Sequence, residues 1–241
     1  MMQFFYSHNI VKNVDLKDMI ILDKIESNHC MNVLRYQIGD QINVVDGLGN
    51  LYNGRIKDYI KKECHIDVLD VSPKYKKRNY KVHIAIAPTK NHDRLEWFVE
   101  KAVEIGVDEI SFINCKRSLR KKVRMNRINK VAITAMKQTL KAYLPKINCY
   151  KKIKDFIDQN NKKRGFICHL EDGNKKTFFD YKSMIYNEET YVLIGPEGDF
   201  DEEEIRYATS SNIKPVTLGD SRLRTETAGI VSCQLINLLN A

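Results

Sequence analysis

Two segments of this 241-residue chain carry residue types at spacings that can do chemistry. Ile194-Gly195-Pro196-Glu197-Gly198-Asp199-Phe200 follows an apolar run from Tyr191. Leu218-Gly219-Asp220-Ser221-Arg222-Leu223-Arg224-Thr225-Glu226-Thr227-Ala228 follows a second run from Pro215. Each run ends in glycine and enters a helix-like stretch, so two strand ends would deliver bare backbone to one pocket. Backbone without side chains can approach a small cofactor closely and offer it N–H and C=O groups. That pattern points to an enzyme. The first segment lacks the trailing Gly-Lys-Ser/Thr of a phosphate-cradling loop and the spacing of GxGxxG, so neither a nucleoside triphosphate nor a dinucleotide is indicated.

The elements that must hold these loops alternate between strand and helix. Val82 to Ala87 reads as a strand, and Asp93 to Ile105 as a helix with Leu95, Phe98, Val99, Ala102, Val103 and Ile105 on one face, stopped by Gly106. Strand-like Glu109 to Cys115 follows, then a helix from Asn126 to Leu144 ended by Pro145, then strands at Gly165 to Leu170, Tyr191 to Ile194 and Val216 to Leu218. Five strands alternating with helices predict an α/β domain over residues 81–241 with a mostly parallel sheet. Ligands of such sheets sit beyond the carboxyl ends of the strands. His169-Leu170-Glu171, Gly195 to Gly198 and Leu218-Gly219 all fall at such ends. Ala228 to Leu239 is a largely apolar final helix, explained by a core or a dimer interface.

Residues 1–72 have another rhythm. Short bursts of alternating apolar and polar residues, at Asp40 to Gly47, Asn50 to Ile56 and Cys64 to Val71, predict small antiparallel strands with a hairpin near Gly47-Leu48-Gly49-Asn50 and together a small β-barrel. Residues 73–80 are basic and polar and start with Pro73, which suits a linker.

Composition bounds the class. A hydrophobic content of 43% with 11 Gly and 5 Pro is that of a folded protein, and no apolar run approaches the roughly 20 residues of a membrane helix. The N-terminus shows no basic segment followed by an apolar core, so a cytoplasmic location is expected. Six scattered cysteines without CxxC spacing predict reduced, mostly buried thiols, with neither a zinc site nor a redox pair, and the histidines lack metal-ligand spacing. The net charge of +9 is uneven: Lys116 to Lys130 holds eight Lys or Arg and no acid, and Lys74 to Lys81 holds five more. Such runs suit a polyanion, and the alternative is a solvated face in a Lys- and Asn-rich chain.

With these residues in hand, the chain resembles the bacterial 16S ribosomal RNA uracil-N3 methyltransferase family, members of the knotted SPOUT methyltransferases. The family's Gly-Pro-Glu-Gly-Gly-Phe stands here as Gly195 to Phe200, its Leu-Gly-x-x-Ile-Leu-Arg-x-Glu-Thr-Ala as Leu218 to Ala228, and its Lys-Ala-x-Glu-Leu-Gly-Val as Lys101 to Val107. His29 to Arg35 with Gly39-Asp40, and Gln138 with Leu144 to Ile147, extend the likeness over nearly the whole chain. Two departures are visible: Asp199 replaces the second glycine, and Arg222 stands where an apolar residue usually precedes Leu223. The resemblance implies a PUA-like RNA-binding barrel, an α/β domain tied in a deep trefoil knot, S-adenosylmethionine as donor, 16S ribosomal RNA within the 30S subunit as substrate, and a homodimer. General topology rules argue against a knot, so it comes from the resemblance alone.

A sulfonium donor is already activated, so the tasks left to the protein are alignment and charge control, without a metal or a nucleophile. The target uracil must be unpaired or flipped out, and its N3 proton must leave before or during transfer. Arg224 is the candidate for stabilising the charge that develops on the ring, and Glu226 and Glu197 are candidates for base or positioning. Alternatively Glu226 would only favour the positive end of the last helix, Glu197 would hold a loop through backbone N–H groups, and Arg224 would be a structural ion-pair partner. Leu170, Ile194, Gly195, Pro196, Gly198, Leu218, Gly219, Leu223 and Thr225 are expected around the cofactor. Arg35, Lys116, Arg117, Arg120, Lys121 and Arg124 are expected on RNA phosphates. Two other activities remain open: methylation of a ribose 2′-hydroxyl or a transfer RNA base by the same fold, and non-catalytic RNA binding in ribosome assembly.

Overall fold

The computed structural model describes residues 2–12, 18–170 and 176–241; Glu171 lies outside them. The chain divides into one unit of Met1–Lys77 with Ile133–Leu144 and another of Arg78–Ala132 with Pro145–Ala241.

In the first unit, strands β1 (Phe4–Tyr6), β2 (Ile10–Val11), β3 (Met19–Ile21), β4 (Gln41–Val45), β5 (Leu51–Ile60) and β6 (Glu63–Ser72) form one sheet in the order β1-β4-β5-β6-β3-β2. The expected hairpin joins β4 to β5, where the Asp46 carboxylate accepts the N–H groups of Leu48 at 2.8 Å and Asn50 at 3.1 Å. Ile42 and Val44 of β4 and Cys64, Ile66 and Val68 of β6 alternate inward, as a half-buried strand requires, and meet Phe5, Ile20, Leu22 and Ile56 in the core. One pairing departs from the antiparallel expectation: β1 runs parallel to β4. A parallel neighbour needs a long crossover, and the chain between them contains β2, β3 and helix α1 (Lys24–Asn28).

Residues 133–144, which the pattern assigns to the C-terminal domain, belong to this unit. The helix read as continuing to Leu144 is α3 (Met125–Gln138), and Leu140 takes a positive φ of 54° just after it. The segment beyond turns its backbone to the β4–β5 turn, with Leu144 N–H donating to Gly47 O at 2.9 Å and Gly49 N–H to Ala142 O at 3.0 Å. Lys137, on the last turn of α3, pairs with Glu26 of α1, and both side chains are largely buried.

The second unit is built on strands β7 (Lys81–Ile86), β8 (Glu109–Ile113), β9 (Lys146–Tyr150), β10 (Arg164–Cys168), β11 (Glu189–Ile194) and β12 (Lys214–Val216), in the order β12-β10-β11-β7-β8-β9 and parallel throughout. The sheet has six strands where the pattern gives five. The added strand β9 is Lys-Ile-Asn-Cys-Tyr at a sheet edge, with no fully buried residue, and shows no hydrophobic run. The last strand also starts earlier than the apolar pattern places it, at Lys214 rather than Val216, and leaves Leu218 in the following loop. Pro215 is tolerated there because β12 is the opposite edge.

Helices cover both faces. Helix α2 (His92–Ile105), capped by Asn91 and ended by Gly106 at φ +118°, packs with α7 (Thr225–Leu239), and so does the short α5 (Lys182–Ile185). On the other face α4 (Ile153–Gln159) and α6 (Glu202–Ser210) bury Phe156, Ile157, Ile205 and Ala208 against Ala85, Ile167, Tyr191 and Leu193. Among the described residues no helix is long and apolar enough to cross a membrane.

Candidate active site

The register of the sheet puts three carboxyl ends side by side: Cys168 of β10 is level with Ile194 of β11 on one side and with Val216 of β12 on the other. The three chains leaving these ends surround a cavity of about 280 Å³. The expected residues Leu170, Ile194, Gly195, Pro196, Leu218, Gly219, Leu223 and Thr225 all line it, as do Glu197 and Arg224. Gly198 and Glu226 do not.

The loop after β11 is fixed by its own polar atoms. Thr225 Oγ1 donates to Gly195 O at 3.0 Å in a buried bond, fastening this loop to the start of α7. A Cβ on Gly195 would stand 3.1 Å from the Phe200 ring and 3.3 Å from the Asp199 carboxylate, so any side chain there would crowd both. Asp199 sits at φ +62°, the left-handed region that favours glycine and tolerates Asp. Its Oδ1 accepts Phe200 N–H at 2.8 Å and its Oδ2 accepts Leu170 N–H at 2.7 Å, so the replaced glycine becomes a tie between two loops. Glu197 Oε1 accepts Lys90 N–H at 2.8 Å, the loop-holding alternative. Gly198 turns toward Arg117, whose guanidinium donates to Gly198 O at 3.2 Å.

Arg94, Arg222 and Arg224 bring positive charge to the lining, and Glu197 and Asp199 are its acids. Arg224 is exposed at the N-terminus of α7 and makes no ion pair with any described residue. Glu226 lies in the first turn of α7, buried to 6% side-chain exposure. Its Oε1 is 3.6 Å from Arg94 Nε, and its Oε2 has no hydrogen-bond partner among the described residues. Arg94 is the lining residue with no motif to mark it. The available signal was a cation in the first turn of a helix, where the macrodipole disfavours it.

The basic run is partly engaged with its own unit. Lys116 lies 3.3 Å from Asp201 and 3.7 Å from Glu203. Arg120 donates to Lys90 O at 3.0 Å and contacts the His92 ring, whose pKa is lowered by burial and by the charges of Arg120 and Arg124. Lys121 and Arg124 are exposed and without an ion pair among the described residues, and Arg35 is exposed in the first unit at φ +59°. Of the cysteines, Cys30, Cys64, Cys115 and Cys233 are buried, Cys168 lines the cavity and Cys149 is exposed. No group of three or more His, Cys, Asp or Glu among the described residues is placed to hold a metal.

Comparison with known proteins agrees with this architecture. Residues 76–237 match the RNA methyltransferase domain family and residues 22–69 the RNA methyltransferase PUA domain family. Ribosomal RNA small subunit methyltransferase E 2 of Borreliella burgdorferi is 29% identical over 227 residues, covering 89% of this chain and 88% of its own. A crystal structure of a "probable rRNA-methyltransferase" from Porphyromonas gingivalis superposes with a TM-score of 0.88 at 36% identity, covering 99% of this chain and 98% of that one. Ribosomal RNA small subunit methyltransferase E of Neisseria gonorrhoeae, bound to S-adenosyl methionine, has the same fold, with a TM-score of 0.81 at 22% identity over 100% of this chain and 98% of that one. A parallel sheet whose three level strand ends enclose a glycine-lined cavity, matched over residues 76–237 and preceded by a PUA domain, makes this chain a member of the RNA methyltransferase family.

Proposed function

We propose that the protein methylates N3 of a specific uridine in 16S ribosomal RNA, within the 30S subunit, using S-adenosylmethionine, and that it does so as a cytoplasmic homodimer whose second unit is tied in a trefoil knot. The observation that carries this reading is the cavity: three level strand ends, backbone from Gly195 and Gly219 in its wall, and three arginines on its lining. The names of the relatives supply the substrate class, and the Neisseria protein the donor.

The residues present fit that donor. At about 280 Å³ the cavity is close to the lower end of the roughly 300–1,000 Å³ of small-molecule sites. At Gly219, φ is +111° and nothing stands within 4 Å of where a Cβ would be, so the backbone there faces open space. Leu170, Leu218 and Leu223 supply apolar walls, with the backbone of Ile194, Gly195 and Pro196 between them. S-adenosylmethionine, when bound, supplies a methyl group on an activated sulfonium.

The chain itself has to align the acceptor and manage charge. The buried Thr225–Gly195 bond and the Asp199–Leu170 tie set the loops before any ligand arrives, which is preorganisation. Arg224, exposed and without an ion pair among the described residues, is placed to meet an extruded base or its phosphate. Glu197, at the rim with one oxygen held by Lys90 N–H, is the acid on the lining nearest to the role of proton acceptor. Glu226 is in the first turn of α7 and off the lining, which favours positioning over direct proton transfer.

Nucleoside mass spectrometry on 30S particles and bare 16S RNA, incubated with the protein and methyl-labelled S-adenosylmethionine, tests the reading. Labelled 3-methyluridine is the expected product. A labelled ribose or another base would overturn the N3 assignment, and cofactor binding without any label on either substrate would favour the assembly role.

A further inference from the structure

Resting on the uridine-N3 reading above, we propose that Arg94 is the cation that faces the ring oxygens of the target uracil as N3 loses its proton, and that Glu226 is the positioning residue that holds it. Every other described lining residue comes from 168–170, 194–199 or 216–228; Arg94 alone comes from the β7–α2 side. It therefore occupies the part of the wall that the cofactor-facing loops leave uncovered. Of the three lining arginines it is the one with an anchor: Arg222 and Arg224 have no ion pair among the described residues, whereas Arg94 Nε stands 3.6 Å from the buried Glu226 carboxylate.

Helix stability does not explain the placement. Arg94 is in the first turn of α2, the wrong end of the macrodipole for a cation, whereas Glu226 is in the first turn of α7, the favourable end for an anion. Glu226 also keeps one oxygen without a hydrogen-bond partner among the described residues, a cost that a purely structural pair would relieve by closer approach. The two helices are locked together nearby, since Gly229 of α7 meets the Phe98 ring of α2. The pair thus sits on rigid elements, and the terminal guanidinium nitrogens of Arg94 have no partner among the described residues.

The charge requirement follows from the reaction. The N3–H bond breaks with its proton passing to the Glu197 carboxylate on the lining and its electron pair remaining on the ring, spread over the two carbonyl oxygens. That pair then forms the N–CH₃ bond as the methyl–sulfur bond breaks and its electrons return to sulfur, leaving a neutral thioether. A guanidinium is permanently charged and planar, so it stabilises that anion without competing for the proton.

The test uses full-length wild type and the R94M, R94K and E226Q variants, with folding checked by thermal melting. Calorimetry measures S-adenosylmethionine binding, and single-turnover methylation of 30S particles is followed against pH. For R94M, unchanged cofactor affinity is expected, with a rate lower by about 100-fold or more near neutral pH. That deficit should shrink as the pH rises toward the imide's own pKa and be partly rescued by added guanidinium. R94K and E226Q should fall between, with profiles displaced in the same direction. A full rate at saturating cofactor with weakened cofactor affinity would make Arg94 a cofactor anchor and overturn the proposal, as would a pH-independent deficit. Wild type that leaves N3 of uridine unmethylated would instead overturn the function on which the proposal rests, and the proposal with it.

Discussion

The carboxylate of Asp199 accepts the backbone N–H of Leu170 at 2.7 Å and so joins the loop after β11 to the loop after β10 across the mouth of the cavity. The side chain that departs from the family's glycine therefore does something glycine cannot, while keeping the backbone at the glycine-like φ of +62°.

Two substitutions separate these effects. Asp199→Gly keeps the backbone relaxed but removes the tie, and is expected to weaken S-adenosylmethionine binding about tenfold, the lower end of what a hydrogen bond to a charged group contributes. Asp199→Ala removes the tie and strains the backbone by a further ~1 kcal/mol, so it should melt below Asp199→Gly. Equal melting temperatures for the two, with wild-type affinity in both, would show that the tie is idle.

Gly229 tests how closely α7 approaches α2. A Cβ there would lie 2.6 Å from the Phe98 ring and 3.2 Å from Ile86, both fully buried. In a helix with space to spare, Gly→Ala stabilises by about 1 kcal/mol. Here overpacking is expected to win, with a net loss of roughly 1–3 kcal/mol in urea denaturation. A gain in stability would mean that the helices do not meet at this point.

His83 gives a pH dependence of known sign. Its ring is buried, with Nε2 2.8 Å from Ser111 Oγ and the Phe156 ring edge-on at 5.2 Å. Burial first, then the charges of Lys163 and Lys146, push its pKa down to about 3. Glu109 stands 3.6 Å from Nδ1 and would favour the charged ring, but Lys146 and Lys163 lie within 3.8 Å of the same carboxylate and offset it. The unfolded ring titrates near about 6.5, so below that pH the unfolded chain binds a proton that the native state refuses. The contribution is fully present above this value and is lost as pH falls toward about 3, by up to about 1.4 kcal/mol per pH unit. His83→Gln should flatten the decline between about pH 6.5 and pH 4 relative to wild type. Parallel stability curves would rule out His83 as its source.

What was legible in the sequence follows from what each feature depends on. The glycine loops at Gly195 and Gly219 could be read because their role needs only bare backbone after an apolar strand, and both are local signals. Helix α2 could be read because its 3.6-residue face and its Gly106 stop are also local. Strand β9 could not, since an edge strand with half-exposed residues carries no apolar run. The early end of α3 is set by backbone bonds to Gly47 and Gly49, far along the chain, which no window around Leu140 contains. Arg94 was hidden for the same reason: its meaning comes from Glu226, at the start of a helix at the other end of the domain.

The basic run divides into engaged and open charges, and the division predicts which of them meet RNA. Lys116 already lies beside Asp201 and Glu203, so removing it uncovers two acids as well as deleting a cation, and its phosphate contact is weakened from the start. Lys121 and Arg124 are exposed and have no such neighbours among the described residues. Each phosphate contact contributes roughly 0.7–0.9 to the slope of log affinity against log salt. The double variant Lys121→Ala/Arg124→Ala should therefore flatten that slope by about 1.5 and weaken 16S RNA binding while S-adenosylmethionine binding is unchanged. Lys116→Ala should flatten it by less than one contact's worth. A slope untouched by the double variant would take the run off the RNA and leave it a solvated face.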